Sequence, residues 1–345
     1  MRVRSIESAD LPALLALAQS TGVGVTTLPA NAERLGRRID ASLATLAQAP
    51  DPARASLLFV LDDPARPQHV VGICGLEGAL GMSEPWYNYR VGAAVHASRE
   101  LGLYRRLETL FLSNDLTGAA ELCSLFLHPD WRRDGNGSLL SKSRFLFLAE
   151  FPEYFSPRVI AEMRGVSDEH GRSPFWESLG RHFFSMEFSE ADYLTGIGNK
   201  SFIAELMPQH LIYTAFLSAP ARAVIGQVHA NTRPALALLT GEGFRYNGYV
   251  DIFDAGPAVE CPLADIRAVR DSLCLRAADR PPPAHAQPWL VSNRRRHGFA
   301  VTLAHTAPDA DGQLPLDAQA LAALAIAPGD SVRAVPLSRP HPNRP

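Results

Sequence analysis

The sequence predicts an α/β (α+β) fold, a mixed central sheet flanked by helices, with a small β-barrel-like module at its C-terminal end. Three observations carry this. Glu121–His128 (ELCSLFLH) is a near-continuous apolar run of the kind a strand buried on both faces requires. A turn-rich loop, an apolar helical stripe and another strand follow it, a succession that implies parallel pairing at the sheet centre. Beyond a proline-rich stretch at Arg280–Pro283 the chain resumes with short apolar strands, the pattern of a second, smaller unit.

Taken in order, Val3–Ile6 reads as an opening strand, and a helix starts at Ser8 or Asp10 with Pro12 in its first turn, where a missing N–H costs nothing. Leu35, Ile39, Leu43 and Leu46 recur at helical spacing across 31–48. Ala55–Leu61 and His69–Leu76, separated by a turn-rich segment, read as a hairpin, and Tyr89–Val95 as a further strand. After the buried run, Ser138–Glu150 is a helix, Arg158–Arg164 a strand, and Pro174 to Gly180 a short helix opened by proline and stopped by glycine. Ala223–His229 (AVIGQVH) reads as another strand, and Pro234 opens a helix that ends at Gly241 or Gly243. The likeness of the two Pro-started, Gly-stopped helices suggests an internal duplication, with a second half over 200–272. The resulting division is a main domain over 1–276 with its candidate loop and helix at 129–150, a linker at 277–288, a β module at 289–337 and a polar tail at 338–345.

Composition narrows the function. Of 345 residues, 46% are hydrophobic and 20% charged, which is globular rather than disordered. The formal net charge of −3 supplies no basic field for nucleic acid, so a small-molecule partner is expected. Cys74, Cys123, Cys261 and Cys274 show neither metal-ligand nor disulfide spacing, and no metal is expected. No apolar run approaches the ~20 residues of a membrane span. The N-terminus does not read as a signal peptide, so a cytoplasmic protein with reduced thiols is expected.

The candidate chemistry starts at Arg132-Arg133-Asp134-Gly135-Asn136-Gly137, which places backbone N–H groups at a helix N-terminus directly after the buried strand. Orphan donors and the helix dipole suit a phosphate there, glycines allow close approach and the arginines add charge-assisted bonds. An ordinary tight βα turn has the same outline. The loop is neither a Walker A motif nor a full dinucleotide fingerprint. Glu162, Arg164 and Asp168 fall at or just past the C-terminal end of a strand, where open α/β sheets place ligands. His229, one of eleven histidines, reads on its own as a capping or core histidine at a strand end.

The pattern Arg132-x-x-Gly135-x-Gly137 resembles the pyrophosphate motif of the GNAT-type acyltransferases. Within them, LFLHPDWRRDGNGSLLSKSRF, AEMRGVSDEHGRSPFW, FIAELMP, VIGQVHANTRPA, EGFRY and YVDIFDAGP resemble, in order, blocks of the arginine N-succinyltransferase family, and the N-terminal segment is similar too. The resemblance implies a GNAT-like sheet and transfer of a succinyl group from succinyl-CoA to the α-amino group of L-arginine. Succinyl-CoA would be a co-substrate, with no permanently bound cofactor. It implies that Leu125 contacts succinyl-CoA, that Arg132, Arg133, Gly135, Asn136 and Gly137 hold its phosphates, and that His229 is the proton donor; with those substrates, an acidic member of Glu162 and Asp168 would hold the guanidinium and Arg164 a carboxylate. His128 stands where the family pattern leads one to expect an acidic residue. Ornithine or another basic amino acid as acceptor, an acetyl donor, a non-catalytic partner in a paired-chain enzyme and a ligand sensor are the competing readings. Assembly as a homodimer or with a similar chain is compatible with the sequence.

Overall fold

The computed structural model describes residues 1–20, 28–196, 205–284 and 286–338. Its strands, in chain order, are β1 (Arg2–Ser5), β2 (Ser56–Asp63), β3 (Arg66–Glu77), β4 (Asn88–Ser98), β5 (Leu103–Ser113), β6 (Ala120–Leu127), β7 (Arg158–Glu162), β8 (Ile212–Tyr213), β9 (Arg245–Val250), β10 (Pro257–Pro262), β11 (Leu273–Asp279), β12 (Gln287–Asn293), β13 (Ala300–Thr306), β14 (Gln313–Leu316) and β15 (Ser331–Pro336). They form one mixed sheet in the order β14-β11-β15-β12-β13-β1-β2-β3-β6-β7-β10-β9-β4-β5-β8. The expected mixed sheet with flanking helices is therefore what the chain builds.

Helices α1 (Leu11–Gln19) and α2 (Ala32–Ala47) cover one face of β2 and β3. Asn31 caps α2 by accepting the Arg34 N–H (2.9 Å), and Leu35 and Ile39 bury against Leu58, Val60 and Ile73. Helix α3 (Asn136–Glu150) is buried along nearly its whole length, as its apolar sequence demands. Phe147 packs on Phe59 (5.2 Å between ring centroids) and on Phe299 (5.0 Å), so α3 is a spine shared by the N-terminal strands and the C-terminal module.

The C-terminal strands continue the same sheet, through β13 pairing with β1, and have a small core of their own around Trp289, Val291, Leu314, Leu324 and Val332. The Thr306 hydroxyl donates to the Pro315 carbonyl (2.6 Å), drawing the two ends of this strand set together. A buried ionic cluster then ties the module to the helices. Glu242, fully buried, takes Lys142 of α3 (2.9 Å) and Arg267 (2.7 Å), while Lys142 and Arg267 also donate to the carbonyls of Leu337 (2.7 Å) and Pro336 (3.0 Å) at the end of β15.

Several expectations are corrected. Ala223–His229 is not a strand: Ala219–Val224 is a helix, capped by the Ser218 hydroxyl with Pro220 in its first turn, and Gly226 at φ +71° ends it. AVIGQVH is the end of a helix followed by an extended stub, so the half suggested over 200–272 loses its first strand, while its Pro-started helix Arg233–Glu242 ahead of Gly243 is present. The opening of that half, 200–204, lies outside the described residues, and its strands β9 and β10 join β7 in the same sheet. Gly180 does not stop a helix but starts the next one, Gly180–Phe184; a Cβ there would lie 2.3 Å from the Trp176 ring, so it is close packing that needs glycine. Strand β7 ends at Glu162, short of Arg164. Strand β11 runs to Asp279, so the expected linker begins inside it. Of the polar tail, only Ser338 is among the described residues.

Candidate active site

Strands β6 and β7 are parallel and hydrogen-bonded only at their starts, Ala120–Glu121 with Val159–Ile160. Beyond that point β6 follows β3 and β7 follows β10, which leaves a split between their C-terminal ends. All the sequence-predicted residues lie on the segments around it.

Leu125 stands on the β6 side. Opposite β3, Phe126 pairs with Ile73 and Cys123 with Gly75, so Ser124 and Leu125 together face Cys74 alone. That two-to-one count is a β-bulge, with Ser124 in the left-handed region at φ +55°. A bulge turns the peptide groups of a strand out of the ladder, and here it does so at the split.

The glycine loop follows directly. Asp134 (φ +51°) and Gly135 (φ +76°) are both left-handed and wind the chain into α3, whose first-turn amides, at Gly137 and Ser138, have no acceptor within the helix. Gly135 is required by its φ, and a Cβ there would also come 3.1 Å from Leu303 of β13, so the C-terminal module packs against this loop. The Asn136 side chain is buried and donates to the Trp131 carbonyl (3.1 Å), pinning the turn. Arg132 folds back to the Leu127 carbonyl (3.1 Å), and Arg133 lies over the Trp131 ring (5.7 Å); both are exposed.

On the β7 side the chain leaves the sheet at Met163–Arg164–Gly165. Buried Asp254 fixes this exit by accepting from the backbone N–H of Gly165 (2.6 Å) and of Gly256 (2.8 Å). Sequence reasoning missed Asp254; the glycines at 165 and 256 were the signal, since a Cβ on them would strike backbone oxygens at 2.4 and 2.0 Å respectively. Arg164 donates to the Ser167 hydroxyl (2.8 Å), Glu162 accepts from Asn88 (2.6 Å), and the Asp168 carboxylate holds the amides of His170 (2.9 Å) and Arg172 (2.8 Å). Those two backbone bonds, the one from Arg172 foremost, keep the Asp168 carboxyl below its ordinary range.

His229 is brought to this exit by one bond: its backbone N–H donates to the Arg164 carbonyl (2.9 Å). Its ring Nδ1 accepts the Asn231 N–H (3.1 Å), so the neutral ring carries its proton on Nε2. Burial, then the neighbouring Arg164 charge, lowers its pKa. Arg164 and His229 are thus joined by the fold, whereas Asp168 is committed to its own loop. His128 ends the other strand with the same ring arrangement, Nδ1 accepting from Asp130 (3.4 Å).

All four cysteines are free, three of them buried, as expected of reduced thiols. Among the described residues no cluster could hold a metal, and no helix is long and apolar enough to cross a membrane.

A family model described as arginine N-succinyltransferase beta subunit matches residues 1–268, and one for the C-terminal domain of that subunit matches 274–336. The arginine N-succinyltransferase subunit beta of Pseudomonas aeruginosa is 57% identical over 98% of both chains, and the arginine N-succinyltransferase of Escherichia coli is 53% identical over 98% of both. A solved structure, arginine/ornithine succinyltransferase subunit AI from Pseudomonas aeruginosa, superposes with a TM-score of 0.88 at 34% identity over 98% of both chains. The family models cover almost the whole chain and the relatives match it end to end; the chain belongs to the arginine N-succinyltransferase beta-subunit family of acyltransferases.

Proposed function

We propose that this chain transfers the succinyl group of succinyl-CoA to the α-amino group of L-arginine, giving N2-succinyl-L-arginine and CoA. The observation that carries the choice of substrates is the end-to-end likeness, at 57% and 53% identity, to relatives named for that reaction. The split between β6 and β7 supports it, with a helix N-terminus suited to an anion on one side and a histidine on the other.

In this reading the turn 135–137, through the amides of Gly137 and Ser138 that lack an acceptor in the helix, takes the CoA phosphates with Arg132 and Arg133. The amine nitrogen attacks the thioester carbonyl carbon, and the carbonyl oxygen becomes an oxyanion to which the Leu125 N–H, turned out by the bulge, donates a hydrogen bond. The C–S bond then breaks, CoA leaves as thiolate, and the proton shed by the nitrogen passes to that sulfur, giving the amide and the CoA thiol. With Nδ1 occupied by Asn231, the neutral His229 ring offers Nε2–H as a hydrogen-bond donor that stabilises the charge on the departing sulfur until the proton arrives. Glu162 and Asp168 are the acidic candidates for the guanidinium; Glu162 stands on the strand itself, while Asp168 already holds two loop amides. Arg164 would take a carboxylate. Four unpaired cysteines fit a reducing, cytoplasmic setting.

Ornithine is the second acceptor to test, because the solved relative is named for arginine and ornithine together. The names subunit beta and subunit AI likewise favour assembly with a second chain, as a homodimer or beside a similar subunit. The test is release of free thiol from succinyl-CoA, and from acetyl-CoA, with arginine or ornithine as acceptor. Release that needs both succinyl-CoA and arginine is the expected result. Turnover with another pair would replace the substrates, and CoA binding without turnover by the purified chain would make it a partner subunit.

A further inference from the structure

The bulge at Ser124–Leu125 is gripped from both sides by arginines. From α3, the Arg144 guanidinium donates to the Cys123 carbonyl (3.4 Å) and to the carbonyl and hydroxyl of Ser141 (3.0 and 3.2 Å). From α2, Arg38 donates to the Ser124 hydroxyl (2.8 Å). Arg144 is among the largest fully buried side chains, and among the described residues no carboxylate lies within ion-pair distance of it. The nearby Cys74 and Cys123 thiols, pushed up by burial to about 11 and about 12, stay neutral and provide no counter-charge. A guanidinium taken out of water with no carboxylate in ion-pair contact, and only the more distant Glu121 charge to favour it, is costly. Ser124, a non-glycine residue in the left-handed region, adds backbone strain. Neither feature helps the sheet, since a regular strand would pair without them. Both act on the two peptide groups that set the direction of the Leu125 N–H.

We propose that Arg144 and Arg38 are positioning residues that hold the Cys123–Ser124–Leu125 bulge in the orientation from which the Leu125 N–H meets the thioester oxygen. Arg144 fixes the carbonyl end of the bulge and Arg38 fixes the left-handed residue at its apex. The inference rests on the proposed role of Leu125.

The test compares kcat and KM for succinyl-CoA, by thiol release, in Arg38→Met, Arg144→Met, Arg144→Lys, Ser124→Gly and the Arg38→Met/Ser124→Gly pair, with calorimetric CoA binding and thermal unfolding measured in each. Arg38→Met is expected to lower kcat about tenfold, with CoA affinity unchanged. Adding Ser124→Gly should restore part of that loss, because glycine occupies the left-handed region without being held there. Arg144→Lys should retain more activity than Arg144→Met. The proposal is overturned if folded Arg38→Met and Arg144→Met keep their kcat, or if glycine at 124 rescues nothing. Should Arg144→Met fail to fold, the Arg38 and Ser124 arms still decide. Leu125→Pro, which removes the N–H, separates the two ideas: if it retains turnover the proposed role of Leu125 fails, and if it alone loses turnover only the arginine clamp fails.

Discussion

Two turns in this chain are built alike and placed differently. His128 (φ −54°, ψ 136°) and His229 (φ −55°, ψ 145°) each end an extended segment, open a single 3-10 turn and lead towards a helix. Each ring accepts, through Nδ1, the backbone N–H two residues on. The difference lies in what surrounds them. His128 has Asp130 beside its ring (3.7 Å), and its turn passes into two left-handed residues and the buried helix α3. His229 is fastened to the Arg164 carbonyl at the sheet exit, and burial and the Arg164 charge favour its neutral form. The same local geometry thus makes each histidine the cap of its own turn, and the tertiary neighbours, not the turn, set the two apart.

Removing each ring in turn separates the two histidines most directly. His229→Ala is expected to lower kcat by about a hundredfold or more, whereas His128→Ala should stay within about threefold, both read by thiol release. Equal losses would mean that the turns are equivalent and that the assignment of His229 fails.

A smaller effect is expected in pH dependence. Because the His229 pKa is lowered, the neutral ring persists below the ordinary value of about 6.5, and the acid limb of kcat/KM should fall below that value. Protonation places a hydrogen on Nδ1, where the Asn231 N–H now donates, so activity is lost as pH drops. Arg164→Gln removes a neighbouring cation and should move that limb towards higher pH; an unmoved limb would assign the shift to burial alone.

The smallest effects should distinguish the two helices that follow these turns. Gly135→Ala forces alanine into φ +76° beside Leu303 and should destabilise the chain by about 1 kcal/mol and raise KM for succinyl-CoA. Gly241→Ala, inside the helix Arg233–Glu242 with open space at its Cβ, should instead raise Tm slightly, by about 0.5–1 kcal/mol of stability. Thermal unfolding of the two variants checks both signs.

Legibility varied with how local each determinant was. The buried run that became β6, the apolar stripe of α3 and the capped α2 were readable because burial and periodicity act within a few residues. Strand β5 was not, since most of its side chains are exposed and leave no alternating stripe. Ala223–His229 misled because a helix end and an extended stub together mimic a strand's composition. At the site, the glycine loop announced itself through residues that only a special backbone requires. Asp254, Arg38 and Arg144 did not: Asp254 meets Gly165 across 89 positions, Arg38 meets Ser124 across 86 and Arg144 meets Cys123 across 21, and separations of that kind leave no local pattern.

Short segments alone carried the family, the order of most elements around the site and the residues proposed for phosphate and proton chemistry, because motifs and hydrophobic periods are written within a few turns of chain. The folded molecule added that β6 and β7 part after two residues, that a bulge sits at Ser124 under two arginines, that Arg164 and not Asp168 accompanies His229, and that the C-terminal module packs on the glycine loop through Leu303. Each of these depends on pairing between distant segments, whose register and burial are set by the packing of the whole sheet rather than by any stretch of chain within it.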